Sequence, residues 1–231
     1  LTCDGFLDGR LRLTQPRAGH RAGHDAIFLA AATAARAGDR VVEFGAGVGA
    51  AALALAARID GLALTLVEID PRLAELAAAN AAANGIAARV VVADVEDRAA
   101  ALARLGLGAD SADVVLMNPP FNEARRHRGS PQPARRRAHV ASLTTLEGWA
   151  HAARRLLRGG GSLTLIWRAD GLAEVFSALA RGFGGLDVMP VYPREGQPAI
   201  RVLVRAVKGG RAPLTLRPGI VLNDAAGAPT P

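Results

Sequence analysis

The sequence predicts an α/β protein built on one doubly wound sheet of about seven strands, mostly parallel, with the last strand antiparallel. Short apolar runs alternate regularly with helical segments after residue 38, and the run Leu62–Glu68 shows no polar–apolar alternation, as in a strand buried on both faces. Only a turn segment, Pro193–Pro198, separates the last two runs. These two strands are therefore expected to pair antiparallel.

The N-terminal region, residues 1–24, is predicted to form a hairpin and a loop that flanks the main domain, residues 25–231. Polar and apolar residues alternate over Cys3–Gln15 around the turn signal Asp8-Gly9. A strongly apolar helix is expected to begin at Asp25 and to end near Gly38. One compact domain is expected overall, since 231 residues with 50% hydrophobic and 21% charged content can bury a sizeable core.

The elements of the main domain follow from apolar runs and from capping residues. In chain order the predicted strands are Arg40–Phe44, Leu62–Glu68, Arg89–Ala93, Ala112–Met117, Ser162–Trp167, Leu186–Tyr192 and Ile200–Val207. The helices between them are predicted at Gly49–Ala57, Pro71–Asn84, Ala99–Leu105, Thr144–Leu157 and Leu172–Ala180. Asp70 is expected to cap the helix that begins with Pro71, Thr144 and Glu147 to form a capping box, and Gly159–Gly161 to end that helix.

Composition excludes several classes of protein. The single cysteine, Cys3, permits no intrachain disulfide and no cysteine-based zinc site. The five histidines show no ligand spacing, so no metal is expected, and Trp149 and Trp167 are expected in the core. No apolar stretch reaches the ~20 residues of a membrane span, and no basic-then-apolar leader opens the chain, so the cytoplasm is the expected compartment.

The positive charge of the chain is concentrated in one segment. Residues 123–139 contain six arginines and one acid, which accounts for five of the seven net positive charges. The arginines are Arg125, Arg126, Arg128, Arg135, Arg136 and Arg137. Such a cluster is typical either of a solvated face or of a surface that contacts nucleic-acid phosphates.

A glycine-rich turn follows the first strand of the main domain. Glu43-Phe44-Gly45-Ala46-Gly47-Val48-Gly49 leads from this strand into a helix, and glycines there let the backbone approach a ligand closely. The spacing also fits a dinucleotide site, so an NAD-dependent oxidoreductase remains open at this point, as does a tight turn without ligand. Ligands of a doubly wound sheet are expected at this carboxyl edge.

Acids end the next two strands. Glu68 is placed to accept hydrogen bonds from ribose hydroxyls, a need that NAD and adenosyl cofactors share. Asp94 ends the third strand, where a carboxylate reaches an adenine amino group or caps a helix that begins at Val95. A solvated acid at the end of a strand is the alternative for Glu68.

The fourth strand runs directly into Asn118-Pro119-Pro120-Phe121. Two prolines fix the backbone, so the amide oxygen of Asn118 and the carbonyl of Pro119 can both accept hydrogen bonds from one –NH2 group. A conjugated amine is a poor nucleophile, and two fixed acceptors orient its nitrogen toward an electrophile. Phe121 supplies an aromatic face for a planar group.

These motifs resemble those of the class I S-adenosylmethionine-dependent amino-methyltransferases, which share a Rossmann-like fold. The N-terminal Gln15-Pro16, Gly19-His20-Arg21 and Asp25-Ala26, with the closing Arg201–Val204 and Pro213–Leu216, resemble a narrower group. This group is the bacterial tRNA1(Val) (adenine-N6)-methyltransferases of the small-methyltransferase superfamily. The resemblance covers essentially the whole chain.

The resemblance implies S-adenosyl-L-methionine as cofactor and RNA, most specifically a tRNA, as partner. It assigns the target amine and base to Asn118, Pro119, Pro120 and Phe121. The implied cofactor-binding residues are Gly23, Asp25, Glu43, Gly45, Ala46, Gly47, Glu68, Ile69, Asp94 and Asn118. The implied RNA contacts are the six arginines of the basic segment.

Three other acceptors or functions stay open. Phe121 stands where adenine-N6 enzymes often carry tyrosine, and phenylalanine is common in enzymes that methylate guanine N2 of ribosomal RNA. The side-chain amide of glutamine in a protein release factor also suits the motif. A non-catalytic RNA-binding module would explain the arginines alone.

Overall fold

The computed structural model describes residues 1–18, 21–120 and 145–230. The strands are β1 (Thr2–Phe6), β2 (Leu11–Gln15), β3 (Arg40–Phe44), β4 (Ala63–Glu68), β5 (Ala88–Val92), β6 (Ala112–Met117), β7 (Leu157–Arg168), β8 (Phe183–Tyr192), β9 (Arg201–Lys208), β10 (Thr215–Leu216) and β11 (Ile220–Val221). The helices are α1 (His24–Ala32), α2 (Ala50–Ala56), α3 (Pro71–Ala83), α4 (Ala99–Arg104), α5 (residues 145–156) and α6 (Leu172–Leu179).

The strands form two sheets. β1 and β2 make an antiparallel hairpin, and the other nine strands make one sheet in the order β10-β8-β9-β7-β6-β3-β4-β5, with β11 also paired to β8. β3, β4, β5, β6 and β7 are mutually parallel, and β9 is antiparallel to both β7 and β8. The predicted fold class is confirmed. Only β10 and β11 were not predicted, because two-residue strands are too short to show periodicity.

The central sheet carries an apolar cluster on each face. One cluster packs Val42 and Phe44 against α5 through Leu146, and it contains the fully buried Trp167 and, at its edge, Trp149. The other packs Val41 and Leu116 against α1, α2, α3 and the hairpin. Both tryptophans therefore contribute to the core as expected, and the carboxyl edge of the sheet lies between the two clusters.

Helix α1 ends at Ala32, so the predicted end near Gly38 is wrong. Thr33 adopts extended backbone angles, and its hydroxyl donates to the carbonyl of Leu29 at 2.7 Å. The guanidinium of Arg58 donates to the carbonyls of Ala30 (3.0 Å) and Thr33 (2.8 Å). A side chain from elsewhere in the chain thus satisfies carbonyls that a longer helix would otherwise have paired.

The glycines at 159–161 were predicted to end a helix, and this prediction is wrong. They lie inside strand β7. The register changes around them, because Ala112 pairs with Leu157 whereas Val114 pairs with Ser162. A Cβ on Gly161 would lie 2.9 Å from the carbonyl oxygen of Asp113. The glycines therefore form an irregularity in the strand, where the backbone approaches β6 closely. Thr144 of the predicted capping box lies outside the described residues.

The described residues bear on two of the function classes considered above, membrane proteins and metal-binding proteins. Within residues 1–18, 21–120 and 145–230, no helix has the length and apolar character needed to cross a membrane. The same residues contain no cluster of three or more His, Cys, Asp or Glu side chains arranged to hold a metal ion. The division of the chain at residue 24 stays a prediction.

Candidate functional site

A cavity of about 290 Å³ lies at the carboxyl ends of β3 and β6, against the first turn of α1. It gathers residues from three parts of the chain that the sequence singled out separately. Of the predicted cofactor residues, those that line it are Gly23, Asp25, Glu43, Gly45, Ala46, Gly47 and Asn118. Glu68, Ile69 and Asp94 do not line this cavity, although they follow β4 and β5 on the same edge of the sheet.

The three glycines of the turn have different reasons to be glycine. Gly45, Gly47 and Gly49 all have positive φ angles, of 61°, 56° and 87°. A Cβ on Gly45 would overlap the ring of Trp149, and one on Gly49 would lie 2.9 Å from Leu66. A Cβ on Gly47 would meet nothing within 4 Å. Of the three, only Gly47 leaves open space for a ligand on its Cβ side, and packing alone accounts for the other two.

Glu68 lies behind the turn and holds its backbone. The side chain is 6% exposed, and its Oε2 accepts a hydrogen bond of 2.7 Å from the backbone N–H of Gly47. Its Oε1 accepts from the N–H of Asp70 at 3.0 Å. Each carboxylate oxygen keeps lone pairs for a ligand. Beside it, Ile69 is 62% exposed, an apolar side chain left open to contact a planar group.

Glu43 is a buried acid under the same cavity. It is 4% exposed, and its Oε2 accepts a hydrogen bond of 2.9 Å from the backbone N–H of Ala52. Burial raises the pKa of the Glu43 carboxyl to about 8, and the charge of Glu68 acts in the same direction. The carboxyl group is therefore mostly protonated at neutral pH, and a cation in the cavity would favour its ionised form.

Asp94 is not the helix cap that the sequence left open. Helix α4 begins only at Ala99, and Oδ1 of Asp94 instead accepts from the backbone N–H of Glu96 at 2.9 Å. The carboxylate is half-buried after β5, two strands away from β3 in the sheet. Its proposed contact with an adenine amino group stays a prediction.

Asn118 places an unpaired acceptor at the cavity. The residue follows β6 directly and lines the cavity wall. Its Oδ1 is buried and has no hydrogen-bond partner among the residues that the structure describes. Leaving a buried acceptor unsatisfied costs about 1–3 kcal/mol, so this oxygen is suited to receive a donor from a ligand.

The remaining residues of that motif differ in exposure. Pro119 is buried and Pro120 is exposed, consistent with a fixed backbone that turns away from the strand. Phe121 lies outside the described residues, as do the six arginines of the basic segment. Their predicted roles toward the base and the RNA stay predictions.

Two polar residues of the cavity wall, Arg21 and His24, were not assigned a role from the sequence. Arg21 lines the cavity and pairs with Asp4 of β1 at 2.6 Å, and His24 stacks on Phe28 at the start of α1. Asp25, in the same wall, pairs with Arg201 of β9 at 2.9 Å. Asp4 and Arg201 are 17 and 176 residues away from their partners, so local sequence patterns could not have identified these pairs.

The family model and the relatives that match this chain are all methyltransferases. The model of the methyltransferase small domain matches residues 24–190. A tRNA1(Val) (adenine(37)-N6)-methyltransferase of Porphyromonas gingivalis is 32% identical over 176 residues, which cover 74% of this chain and 68% of that protein. A release factor glutamine methyltransferase of Chlorobaculum tepidum is 28% identical over 194 residues, 81% of this chain and 65% of that protein.

Solved structures show the same fold. A predicted O-methyltransferase, Atu636, from Agrobacterium tumefaciens is 34% identical and superposes with a TM-score of 0.73 over 90% of this chain and 92% of its own. TrmN from Thermus thermophilus is 23% identical with a TM-score of 0.55, over 80% of this chain and 47% of its own. The second likeness is one of fold alone.

Proposed function

The chain belongs to the methyltransferase small domain family and is an S-adenosylmethionine-dependent methyltransferase, and we propose that its acceptor is the exocyclic amine of a base in RNA. The most specific form of this proposal is adenine N6 in a tRNA. Because the family uses S-adenosylmethionine, the glycine turn is assigned to this cofactor and not to NAD. The identity of the methyl acceptor is argued from the site.

The described residues fit the cofactor. The first turn of α1 at Gly23 lies in the cavity wall, where helix N-terminal N–H groups suit a carboxylate, and the open Cβ side of Gly47 leaves room for a ligand beside the turn. Two acids line the same cavity: Asp25, which is paired with Arg201, and Glu43, whose ionised form a bound ammonium or sulfonium group would favour. Glu68 and Ile69 would hold the ribose and one face of the adenine. S-adenosylmethionine, when bound, supplies a methyl group that is electrophilic because it is attached to a positively charged sulfur.

The buried oxygen of Asn118 is the observation that carries the proposal. It lacks a donor among the described residues, and an –NH2 group would supply one. Asn118 would hold one N–H bond and the carbonyl of Pro119 the other, so that the nitrogen faces the cofactor side of the cavity. The nitrogen becomes more acidic as it gains its fourth bond, and its proton can pass to water without a strong base.

The arginine segment favours RNA over other methyl acceptors that carry an amine or amide. Its six arginines follow the acceptor motif directly in the sequence, and phosphate contacts from them would position a nucleic acid while Asn118 holds one base. A base must leave its stack to enter such a site, which favours a loop or a single strand. The name of the relative from Porphyromonas gingivalis agrees with a tRNA acceptor.

A second candidate acceptor is the side-chain amide of glutamine in a protein release factor. The same oxygen of Asn118 would accept from that –NH2 group, and the relative from Chlorobaculum tepidum is named for this activity. This candidate leaves the basic segment without a purpose. Binding of tRNA by the purified protein separates the two, because only the RNA enzyme needs it.

Nucleoside mass spectrometry of RNA from a strain that lacks this protein tests the proposal. We expect one methylated base, N6-methyladenosine in a tRNA, to disappear and to return when the wild-type chain is restored. Loss of N2-methylguanosine instead would change the base, and an unchanged nucleoside profile would contradict an RNA acceptor.

A further inference from the structure

The hairpin of β1 and β2 reaches the cofactor cavity through a side chain that does not line it. We propose that Asn80 of α3 is a positioning residue for S-adenosylmethionine binding, because its buried amide ties the hairpin to the glycine turn. The proposal rests on the cofactor site assigned above and is independent of the methyl acceptor.

Asn80 uses its hydrogen-bonding groups at both ends of this link. The side chain is 2% exposed, and its Nδ2 donates to the carbonyl of Val48 and to the carbonyl of Thr14, both at 3.0 Å. Its Oδ1 accepts from the backbone N–H of Thr14 at 2.8 Å. One amide therefore fixes the hairpin strand β2 and the cofactor turn together.

The contact with Val48 falls between two glycines of the turn. Val48 stands between Gly47 and Gly49, both with positive φ, and glycine loses more backbone freedom on ordering than any other residue. A hydrogen bond to the Val48 carbonyl holds the turn in one conformation before the ligand arrives. Preorganisation of this kind raises affinity by lowering the ordering cost of binding.

Asn84, the residue directly after α3 and four positions beyond Asn80, is a natural control. Its Oδ1 accepts from the N–H of Arg12 at 2.9 Å, and its Nδ2 donates to the carbonyls of Arg12 (2.8 Å) and Asn80 (2.7 Å). Asn84 thus anchors the hairpin with the same chemistry, but within the described residues its side chain makes no hydrogen bond with the glycine turn.

A second contact brings β2 to the opposite wall of the cavity. Gln15 is 1% exposed, its Oε1 accepts from the N–H of Ala22 at 3.0 Å, and its Nε2 donates to Asp4 at 2.7 Å. Ala22 lines the cavity. The hairpin therefore supports two walls of the cavity, one through Asn80 and one through Gln15.

Calorimetric binding of S-adenosylhomocysteine to the purified full-length chain tests the proposal. We expect Asn80→Ala to raise the dissociation constant about tenfold, as loss of about one hydrogen bond does, and Asn84→Ala to leave it unchanged. Both variants should lower the melting temperature without ligand. Hydrogen exchange at the amides of Gly47 and Gly49 should accelerate only in Asn80→Ala. In this variant, saturating S-adenosylmethionine should restore kcat, while the KM for S-adenosylmethionine stays raised.

Asn80→Ser is measured in parallel, because it keeps a polar group at the buried position. It allows the binding measurement to be made even if Asn80→Ala does not fold. Equal effects of the Asn80 and Asn84 variants on the dissociation constant would overturn the proposal. Unfolding of both Asn80 variants would also overturn it, since Asn80 would then support the fold rather than the cavity. A wild-type chain that binds the nucleoside but methylates no RNA would affect only the proposed acceptor.

Discussion

The carboxylate of Glu68 and the backbone N–H of Gly47 are joined by a hydrogen bond of 2.7 Å that crosses from the end of β4 to the cofactor turn after β3. The two residues are 21 positions apart in the sequence, and β3 and β4 lie side by side in the sheet. Glu68 therefore shapes the turn in addition to any contact with the ribose, so one side chain acts on the ligand in two ways.

Replacement of Glu68 by alanine is expected to weaken cofactor binding. Loss of a hydrogen bond to a charged acceptor costs about 1.5–3 kcal/mol, which corresponds to a ten- to hundredfold rise in the dissociation constant. Calorimetry with S-adenosylhomocysteine measures this change, and turnover should persist at saturating cofactor. Glu75→Ala on the exposed face of α3 serves as the control. Unchanged affinity in Glu68→Ala would remove this residue from the site.

Stability should depend on pH through Glu43. Its pKa is raised from 4.5 to about 8 in the folded chain, so the folded state keeps a proton that the unfolded state has lost. The contribution of Glu43 to stability is thus fully present below pH 4.5 and is lost as the pH rises toward 8, by up to ~1.4 kcal/mol per pH unit.

Denaturant unfolding of the wild type and of Glu43→Gln measures this dependence between about pH 5 and about pH 8, the range between the ordinary pKa of 4.5 and the raised pKa of about 8. We expect the difference in unfolding free energy between the two proteins to shift in favour of the glutamine variant as the pH rises. A difference that does not change with pH would mean that Glu43 ionises normally.

Gly45 and Gly47 should respond differently to alanine. Gly45→Ala would overlap Trp149 and should lower the melting temperature strongly, and the added change Trp149→Leu should recover part of the loss. Gly47→Ala has free space around its Cβ and should act mainly on cofactor affinity, apart from the strain of its positive φ. Thermal melts and calorimetry on the three proteins test this, and equal loss of stability without loss of affinity in Gly47→Ala would contradict it.

The sequence predicted the strands of the sheet better than the contacts that fix the site. The predicted bounds of Arg40–Phe44 and Ala112–Met117 agree with the structure because most residues of these buried parallel strands are apolar and each strand ends at a turn motif. The end of α1 was missed because its last carbonyls are satisfied by Arg58, 25 or more residues away. A pattern-based reading has no access to such partners.

The site shows the same division between local and distant information. The glycine turn and Asn118 were identifiable because a short motif holds them. No role was assigned to Asn80 from the sequence, and Asn84 was placed only at the end of a predicted helix, yet both bind backbone groups of β2, which lie 66 and 72 residues earlier. Asn80 and Asn84, four residues apart, bind Thr14 and Arg12, which are two residues apart on β2. This match of helix and strand spacing is visible only once the hairpin is packed against α3.

The arginine segment leads to a prediction about salt. If its six arginines contact phosphates, RNA affinity should fall with salt along a log–log slope between about −2 and −4, since each neutralised phosphate of a single strand contributes about −0.7. Replacement of Arg135, Arg136 and Arg137 by alanine should flatten the slope and raise KM for RNA. Cofactor affinity should not change. An unaltered slope in the triple variant would make the segment a solvated face.

The most direct measurement of the central claim is the rate at which purified protein forms methylated adenosine in tRNA, compared between the wild type and Asn118→Ala. The wild type should produce N6-methyladenosine, and the variant should be slower by about 100- to 1,000-fold, as expected for loss of one fixed transition-state contact, while its cofactor affinity stays nearly intact. Formation of N6-methyladenosine by Asn118→Ala at the wild-type rate would contradict the role of the buried amide oxygen. Methylation by the wild type of a release factor and not of tRNA would contradict the proposed acceptor.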